Sequence, residues 1–243
     1  MRILIALLLA TAVLFAQSVE VPTMNFSLSS PDSPKQLVSS LNVLALLTLL
    51  FLAPSILLVM TTFTRFVIVF GFLRTALGTQ QVPPTQVLVM LALILTIFVM
   101  EPIGTKAYEQ GIKPYVEEKI SYEEAYIRTT EPFKNFMIRN TREKDLALFV
   151  RIRKMENPST IADVPLSVIV PAFVISELKT AFEIGFLLFL PFLVIDMVVA
   201  SILMSMGMMM LPPVMISLPF KILVFVLIDG WNLLIGNLIA SIK

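Results

Sequence analysis

Apolar residues fill this chain in long blocks, interrupted by prolines and by one charged stretch near the middle. The first block, MRILIALLLATAVLFAQS, places one arginine before a short apolar run and small residues after it. That order predicts a cleaved signal peptide over residues 1–18, with Ala16 or Ser18 the last residue removed. A short uncleaved anchor helix is the alternative, but the run falls short of the roughly 20 residues that span a bilayer. Residues 19–40, which include VPTMNFSLSSPDSPKQ, are rich in Ser and Pro and predict a flexible exported segment.

A first hydrophobic helical hairpin is predicted over residues 41–104. Its opening run, LNVLALLTLLFLAPSILLVMTTF, is long enough to span and is interrupted by Pro54. Thr48, Ser55 and Thr62 recur every seven residues, giving one helix face a small, mildly polar stripe suited to close packing. Arg65 and Arg74 follow in FTRFVIVFGFLRTALG and are read as a turn; the pair Pro83–Pro84 then precedes VLVMLALILTIFVM. Residues 105–163 change character, holding more than half of the charged residues with both signs mixed. Phe133, Phe136 and Met137, then Leu146, Phe149 and Val150, recur at helical spacing. This predicts a small helical extramembrane domain; a solvated amphipathic linker is the alternative. A second hydrophobic hairpin is predicted over residues 164–243, with Pro171 and Pro191 breaking or kinking its long first arm. The pattern predicts an all-α integral membrane protein: two long, broken helical hairpins with a small helical extramembrane domain between them.

Composition sharpens that reading. The chain has 243 residues, 57% hydrophobic and 14% charged, whereas a soluble domain carries about a quarter charged residues. A net charge of +1 argues against nucleic acid as a partner. Cysteine and histidine are both absent. Disulfides, thiolate or imidazole metal sites and Ser–His or Cys–His catalysis are therefore excluded. No phosphate-binding glycine motif and no zinc-protease motif occurs, so the sequence predicts a protein that is not an enzyme and has no cofactor and no metal.

An exported N-terminus would put the Arg65/Arg74 turn on the cytoplasmic side, as positive-inside expects. The charged domain is then periplasmic; its eleven Lys and Arg do not forbid this, because long loops translocate largely regardless of charge. Ionisable residues within the apolar blocks call for partners. Lys179 and Glu183 are four apart and neutralise each other on one helix face. Glu177 is left over, and Lys221 is the internal cation of the last block. Elimination joins Glu177 with Lys221, within a chain or between copies; the alternative is that each snorkels to an interface alone. Asp196 has no evident local cation, so it is either a hydrogen-bonded carboxyl or an intramembrane proton relay. Asp229, before Gly230 and Trp231 near the end of a helix, reads as a turn or interfacial residue.

The turn of the second hairpin, SMGMMMLPPVM, carries five methionines and no charge from Ser205 to Met215. Gly207 and Pro212–Pro213 discourage a regular helix there. Irregular backbone at membrane depth is tolerated only inside protein or along a cavity, and methionine conforms to changing surfaces. A ring of Met208, Met209 and Met210 from several copies would close a hole and yield to a passing polypeptide. A lipid-facing turn or core filling is the alternative.

The stretches TTFTRFVIVFGFLRTALGTQQVPPTQVL, VPLSVIVPAFVISELKTAFEIGF, MGMMMLPP and LPFKILVFVLIDGW resemble the signatures of the FliP family. This is the flagellar branch of a family that includes the R-type export-gate subunit of virulence type III secretion. The resemblance runs from about Leu41 to the C-terminus, and Thr85 stands where many members carry Asn. It implies a bacterial inner-membrane, multi-pass subunit of the flagellar basal body, assembled as a pentamer with FliQ and FliR into an export gate. FlhB and FlhA lie nearby on that pattern, and exported flagellar polypeptides pass through. It also implies that Met208, Met209 and Met210 form a gasket, that Glu177 meets Lys221 between copies, and that the assembled hairpins sit nearer the periplasm than hydropathy suggests. Two rivals are a secondary transporter coupled through Asp196 and an intramembrane enzyme. The first has too few midplane polar groups, and the second lacks a catalytic constellation.

Overall fold

The computed structural model describes residues 34–79, 81–155, 164–208 and 210–242. The expected signal peptide and most of the flexible segment lie outside the described residues, as do Met209 and the end of the charged stretch. The described residues are helical, with no strand among them: α1 (Pro34–Val59), α2 (Phe63–Leu77), α3 (Thr85–Ala107), α4 (Lys113–Val116), α5 (Tyr122–Asn140), α6 (Glu143–Ile152), α7 (Leu166–Ser205), α8 (Pro213–Leu227) and α9 (Gly230–Ala240). The chain divides into two units, Met1–Leu49 and Leu50–Lys243. The first contributes the beginning of α1; the second holds the remaining helices and both hydrophobic cores.

Several expected breaks fall elsewhere. α1 runs through Pro54 and ends at Val59, and α7 runs 40 residues through both Pro171 and Pro191. A proline removes one helical hydrogen bond, and in apolar helices packed neighbours and small local adjustments re-satisfy the freed carbonyl, so the helix continues through it. The last apolar block is instead interrupted without a proline: Asp229 adopts φ 51°, and α8 and α9 meet at a bend of 65°. The turn role expected of Asp229 is thus observed. α3 continues through a π-helical turn, Tyr108–Ile112, into α4, a run of 32 residues.

α2 is the centre of the first core. Phe66, Val69, Phe70, Leu73, Ala76 and Leu77 are buried along it, against Leu88 and Ala92 of α3, Ala181 and Phe192 of α7, Phe225 of α8 and Leu234 and Leu238 of α9. α2 and α7 run parallel, since Arg65 meets Glu177 and Phe72 meets Phe182 further along both helices. Gly185 permits their close approach: a Cβ there would lie 2.4 Å from Cδ2 of Phe72. α8 returns along α7, with Phe192 and Phe225 rings 6.4 Å apart, and α9 runs back along α2 from Trp231 beside Phe70 to Ser241 beside Arg65.

The charged stretch is packed, not merely solvated. Ser121 caps α5 by accepting the Glu124 backbone N–H. Phe136, Met137 and Val150 are buried with Met100, Val164, Val168, Ile169 and Phe173, and Phe133, Leu146 and Phe149 pack against them. All six apolar positions singled out by spacing therefore face one core, shared with α3 and the start of α7.

Among the described residues, α3–α4 and α7 are long and apolar enough to cross a membrane, and the bent pair α8–α9 makes a third candidate if taken as one span. The stretch Leu41–Leu52 of α1 is a shorter apolar helix. The most apolar windows of α3 and α7 bury only 22% and 11% of their residues. That leaves long apolar faces to lipid or to other chains.

Candidate functional site

Two buried charge clusters brace α2 at opposite ends, and the methionine turn projects beyond one of them. The first cluster forms around Arg65. Its Nε donates to Glu177 Oε2 at 2.7 Å and its Nη2 to Glu177 Oε1, so guanidinium and carboxylate meet as a two-pronged pair. The remaining Nη1 donates to the Ser241 carbonyl at 3.0 Å and to its hydroxyl at 2.9 Å. Arg65 is 2% exposed and Glu177 0%. A cation thus satisfies the end of α9, where unpaired carbonyls favour positive charge, and one side chain ties α2, α7 and α9 together.

One residue before Glu177, Ser176 links α7 to the charged stretch. The Arg142 backbone N–H donates to Ser176 Oγ at 3.1 Å, and Ser176 Oγ donates to Asp145 Oδ2 at 2.7 Å. Arg142 also donates to Asp145 Oδ2 from Nε at 2.8 Å. Burial pushes the Asp145 carboxyl up, but the hydrogen bonds from Ser176 and Arg142 and the Arg142 charge outweigh it and hold the group below its usual range. Asp145 also lies in the first turn of α6, where a negative charge is favoured.

The second cluster forms where α8 passes the C-terminal turn of α2. Lys221 Nζ donates to Asp196 Oδ2 at 2.6 Å and to the Ala76 carbonyl at 3.1 Å. Ser217 donates to Asp196 Oδ1. Lys221 and Ser217 are 1% and 0% exposed. The ammonium therefore pairs with a carboxylate and caps helix α2 at the same time.

These contacts bear on three sequence expectations. Glu177 and Lys221 do not meet within the chain: Glu177 closes on Arg65 and Lys221 on Asp196. Asp196 is not without a cation. Arg65 and Arg74 do not share a turn, since both lie in α2 near opposite ends. Arg74 donates to Thr85 Oγ1 at 2.8 Å, joining the end of α2 to the start of α3, whereas Arg65 lies at the end nearer Ser176 and the charged stretch. Within the chain, Arg65 was missed as a partner of Glu177 because it was read as a turn residue; the pairing of Glu177 with Lys221 between copies stays a proposal. A signal was present: Arg65 lies inside an apolar run with no acid within reach in sequence. Ser217 was also readable, four residues before Lys221 and on its face. Ser241 and Ser176 carried no such signal. Lys179 and Glu183 pair as expected, at 3.5 Å and exposed.

The methionine turn departs from helix as its residues predicted. α7 ends at Ser205; just beyond it Gly207 has φ 74°, and the N–H groups of Gly207 and Met208 return to the carbonyls of Met204 and Leu203. That left-handed residue closes the helix and is accessible to glycine at no steric cost. Met208 is 41% exposed and Met210 98%. Core filling is thereby excluded for these two within the single chain. Among the described residues no group of acids could hold a metal ion.

Comparison with known proteins places these features in a family. The sequence model of the FliP family matches residues 46–238. The flagellar biosynthetic protein FliP of Bacillus subtilis (strain 168) is 57% identical over 212 residues, covering 87% of this chain and 96% of its own. The Caulobacter vibrioides protein of the same name is 51% identical over 235 residues, covering 97% and 88%. That of Pectobacterium carotovorum is 52% identical over 211 residues, covering 87% and 82%.

Proposed function

The chain belongs to the FliP family, and from that premise we propose that it is the pore-forming subunit of a flagellar type III protein export gate. Several copies, a pentamer on the family's pattern, assemble with FliQ and FliR in the bacterial inner membrane at the flagellar basal body, with FlhB and FlhA nearby. Unfolded flagellar polypeptides pass through the ring they form. The methionine turns of the copies converge and close the pore when no polypeptide is in transit.

The observation that carries this reading is the state of the turn in the single chain. Met208 and Met210 are exposed, and no charged side chain lies between Asp196 and Lys221. A monomer would be expected to cover so apolar a tip or to anchor it with charge at the membrane surface. A ring of such tips covers itself, and the flexible thioether side chains adapt to whatever passes. The apolar faces left open on α3 and α7 supply surface for neighbouring copies, partner subunits or lipid. Energy for export comes from elsewhere, since the sequence carries no nucleotide-binding motif.

The test is a photo-crosslinking amino acid at position 208, in cells exporting a flagellar protein stalled by a folded C-terminal fusion. A crosslink to the stalled chain, absent without it, is the expected result. Crosslinks to lipid alone would overturn the reading.

A further inference from the structure

Between the end of α3 and α5 a polar cleft of about 320 Å³ opens on the charged stretch. That volume falls at the lower end of the range for ligand pockets, about 300–1,000 Å³. The two helices run antiparallel: Gly111, in the π-helical turn, meets Thr129, whereas Met100 shares a core with Phe136 and Met137. Contact is tightest at Gly111, where an added Cβ would lie 2.1 Å from Thr129 Oγ1. Lys106 and Gln110 line the cleft from one helix, and Glu131, Asn135 and Arg139 from the other. Ile103, Pro132 and Phe136 are its apolar lining. None of the five polar side chains has a hydrogen bond or ion pair among the described residues. Two cations against one acid leave the cleft with one positive charge. Gln110 lies in the π-helical turn, and such turns are frequent at functional sites.

We propose that this cleft docks a peptide segment of another chain that carries one carboxylate. Lys106 and Arg139 take the carboxylate, and Gln110, Asn135 and Glu131 take the main chain. Two cations without an ion-pair partner favour an anion, and hydrogen bonds between charged groups are the stronger kind. A side-chain amide both donates and accepts, and a carboxylate accepts, so the other three groups match the N–H and C=O groups of a peptide. Glu131, Asn135 and Arg139 recur every four residues on one face of α5, a rise of about 12 Å at about 1.5 Å per residue. An extended peptide covers that distance in about three or four residues. Inorganic phosphate suits the cleft less, because it brings up to about two negative charges close to Glu131. A phospholipid also suits it less. One and two turns before Ile103 on the same face of α3, Val99, Thr96 and Leu95 are buried or packed against the first core. That face therefore offers acyl chains no open apolar track from the cleft.

The test uses the purified full chain in detergent and the probe acetyl-Gly-Asp-Ser-Gly-amide, titrated by saturation-transfer NMR. The probe is expected to bind, and its Asn counterpart to bind about tenfold more weakly for want of the charge. Lys106→Gln/Arg139→Gln should lose binding of the probe, while Arg128→Gln, outside the cleft, should leave it unchanged. Glu131→Gln removes the one negative charge of the cleft and should bind the probe about threefold more tightly. A misfolded chain could not show that gain. No binding of the probe, equal affinity for the Asn peptide, or binding unaffected by Lys106→Gln/Arg139→Gln would overturn the proposal. So would displacement of the probe by equimolar inorganic phosphate or by phosphatidylglycerol added to the micelles, either of which would make the cleft a general anion site or a lipid site instead.

Discussion

Arg65 of α2 and Glu177 of α7 meet as a buried two-pronged ion pair 112 positions apart in sequence, with the guanidinium also closing the end of α9 at Ser241. Removing one member leaves a charge stranded in an apolar core, which costs about 3–5 kcal/mol, while replacing both by apolar residues of similar size is often near neutral. Arg65→Met or Glu177→Leu should therefore lower stability by about 3–5 kcal/mol. The double variant should recover most of that, short of the contribution of the Ser241 contacts. Thermal unfolding of the detergent-purified protein checks this, and a double variant no better than the singles would contradict it.

The partners of Lys221 can be separated by charge reversal. Asp196→Lys/Lys221→Asp should restore assembly lost in each single reversal, because those two groups face each other at 2.6 Å. Glu177→Lys/Lys221→Glu should not, since each would lose its own partner. Co-purification of tagged and untagged copies reads the outcome. Recovery in the second pair, with none in the first, would put Glu177 opposite Lys221 between copies instead.

Much of the helical plan was legible because apolar periodicity reports burial directly: Phe133, Phe136, Met137, Leu146, Phe149 and Val150 all face the core their spacing predicted. The irregular turn at Gly207 and Pro212–Pro213 was legible for a similar reason, since backbone restrictions are local. Of the break or kink expected at the prolines of the long arm, the break is not found. Pro171 and Pro191 sit inside one continuous helix, while the bend at Asp229 needs no proline. The charge pairing was not legible because it is set by which helices lie parallel, and sequence spacing says nothing of that. Arg65 finds Glu177 only because α2 and α7 run side by side.

Asp145 gives the charged stretch a pH response with a definite sign. Its folded-state pKa is held below the ordinary value, so the unfolded chain binds the proton more readily. The stabilisation is complete above the unfolded pKa, about 3.9, and is lost as pH falls through the lower folded value. Acid unfolding followed by fluorescence of Trp231 or by circular dichroism should show this limb in the wild type. Asp145→Asn should be less stable at neutral pH and should lack that part of the acid limb; an unchanged acid profile would contradict the network with Ser176 and Arg142.

Thr62 Oγ1, at the start of α2, is buried and has no hydrogen-bond partner among the described residues. An unmade bond of this kind costs about 1–3 kcal/mol relative to a satisfied or absent group. Thr62→Val keeps the shape and removes the hydroxyl, so it should be neutral or raise stability by up to about 1 kcal/mol. A loss of more than about 1 kcal/mol would show that the hydroxyl has a partner in the working assembly.

If the methionine turns close a pore, removing their side chains should let ions through. Met208, Met209 and Met210 are replaced together by alanine, the chain is co-expressed with FliQ and FliR, assembly is confirmed by co-purification, and conductance across the membrane is recorded. An intact assembly that leaks ions where the wild type does not is the predicted result. An intact assembly that stays tight would contradict the account and reduce the turn to packing.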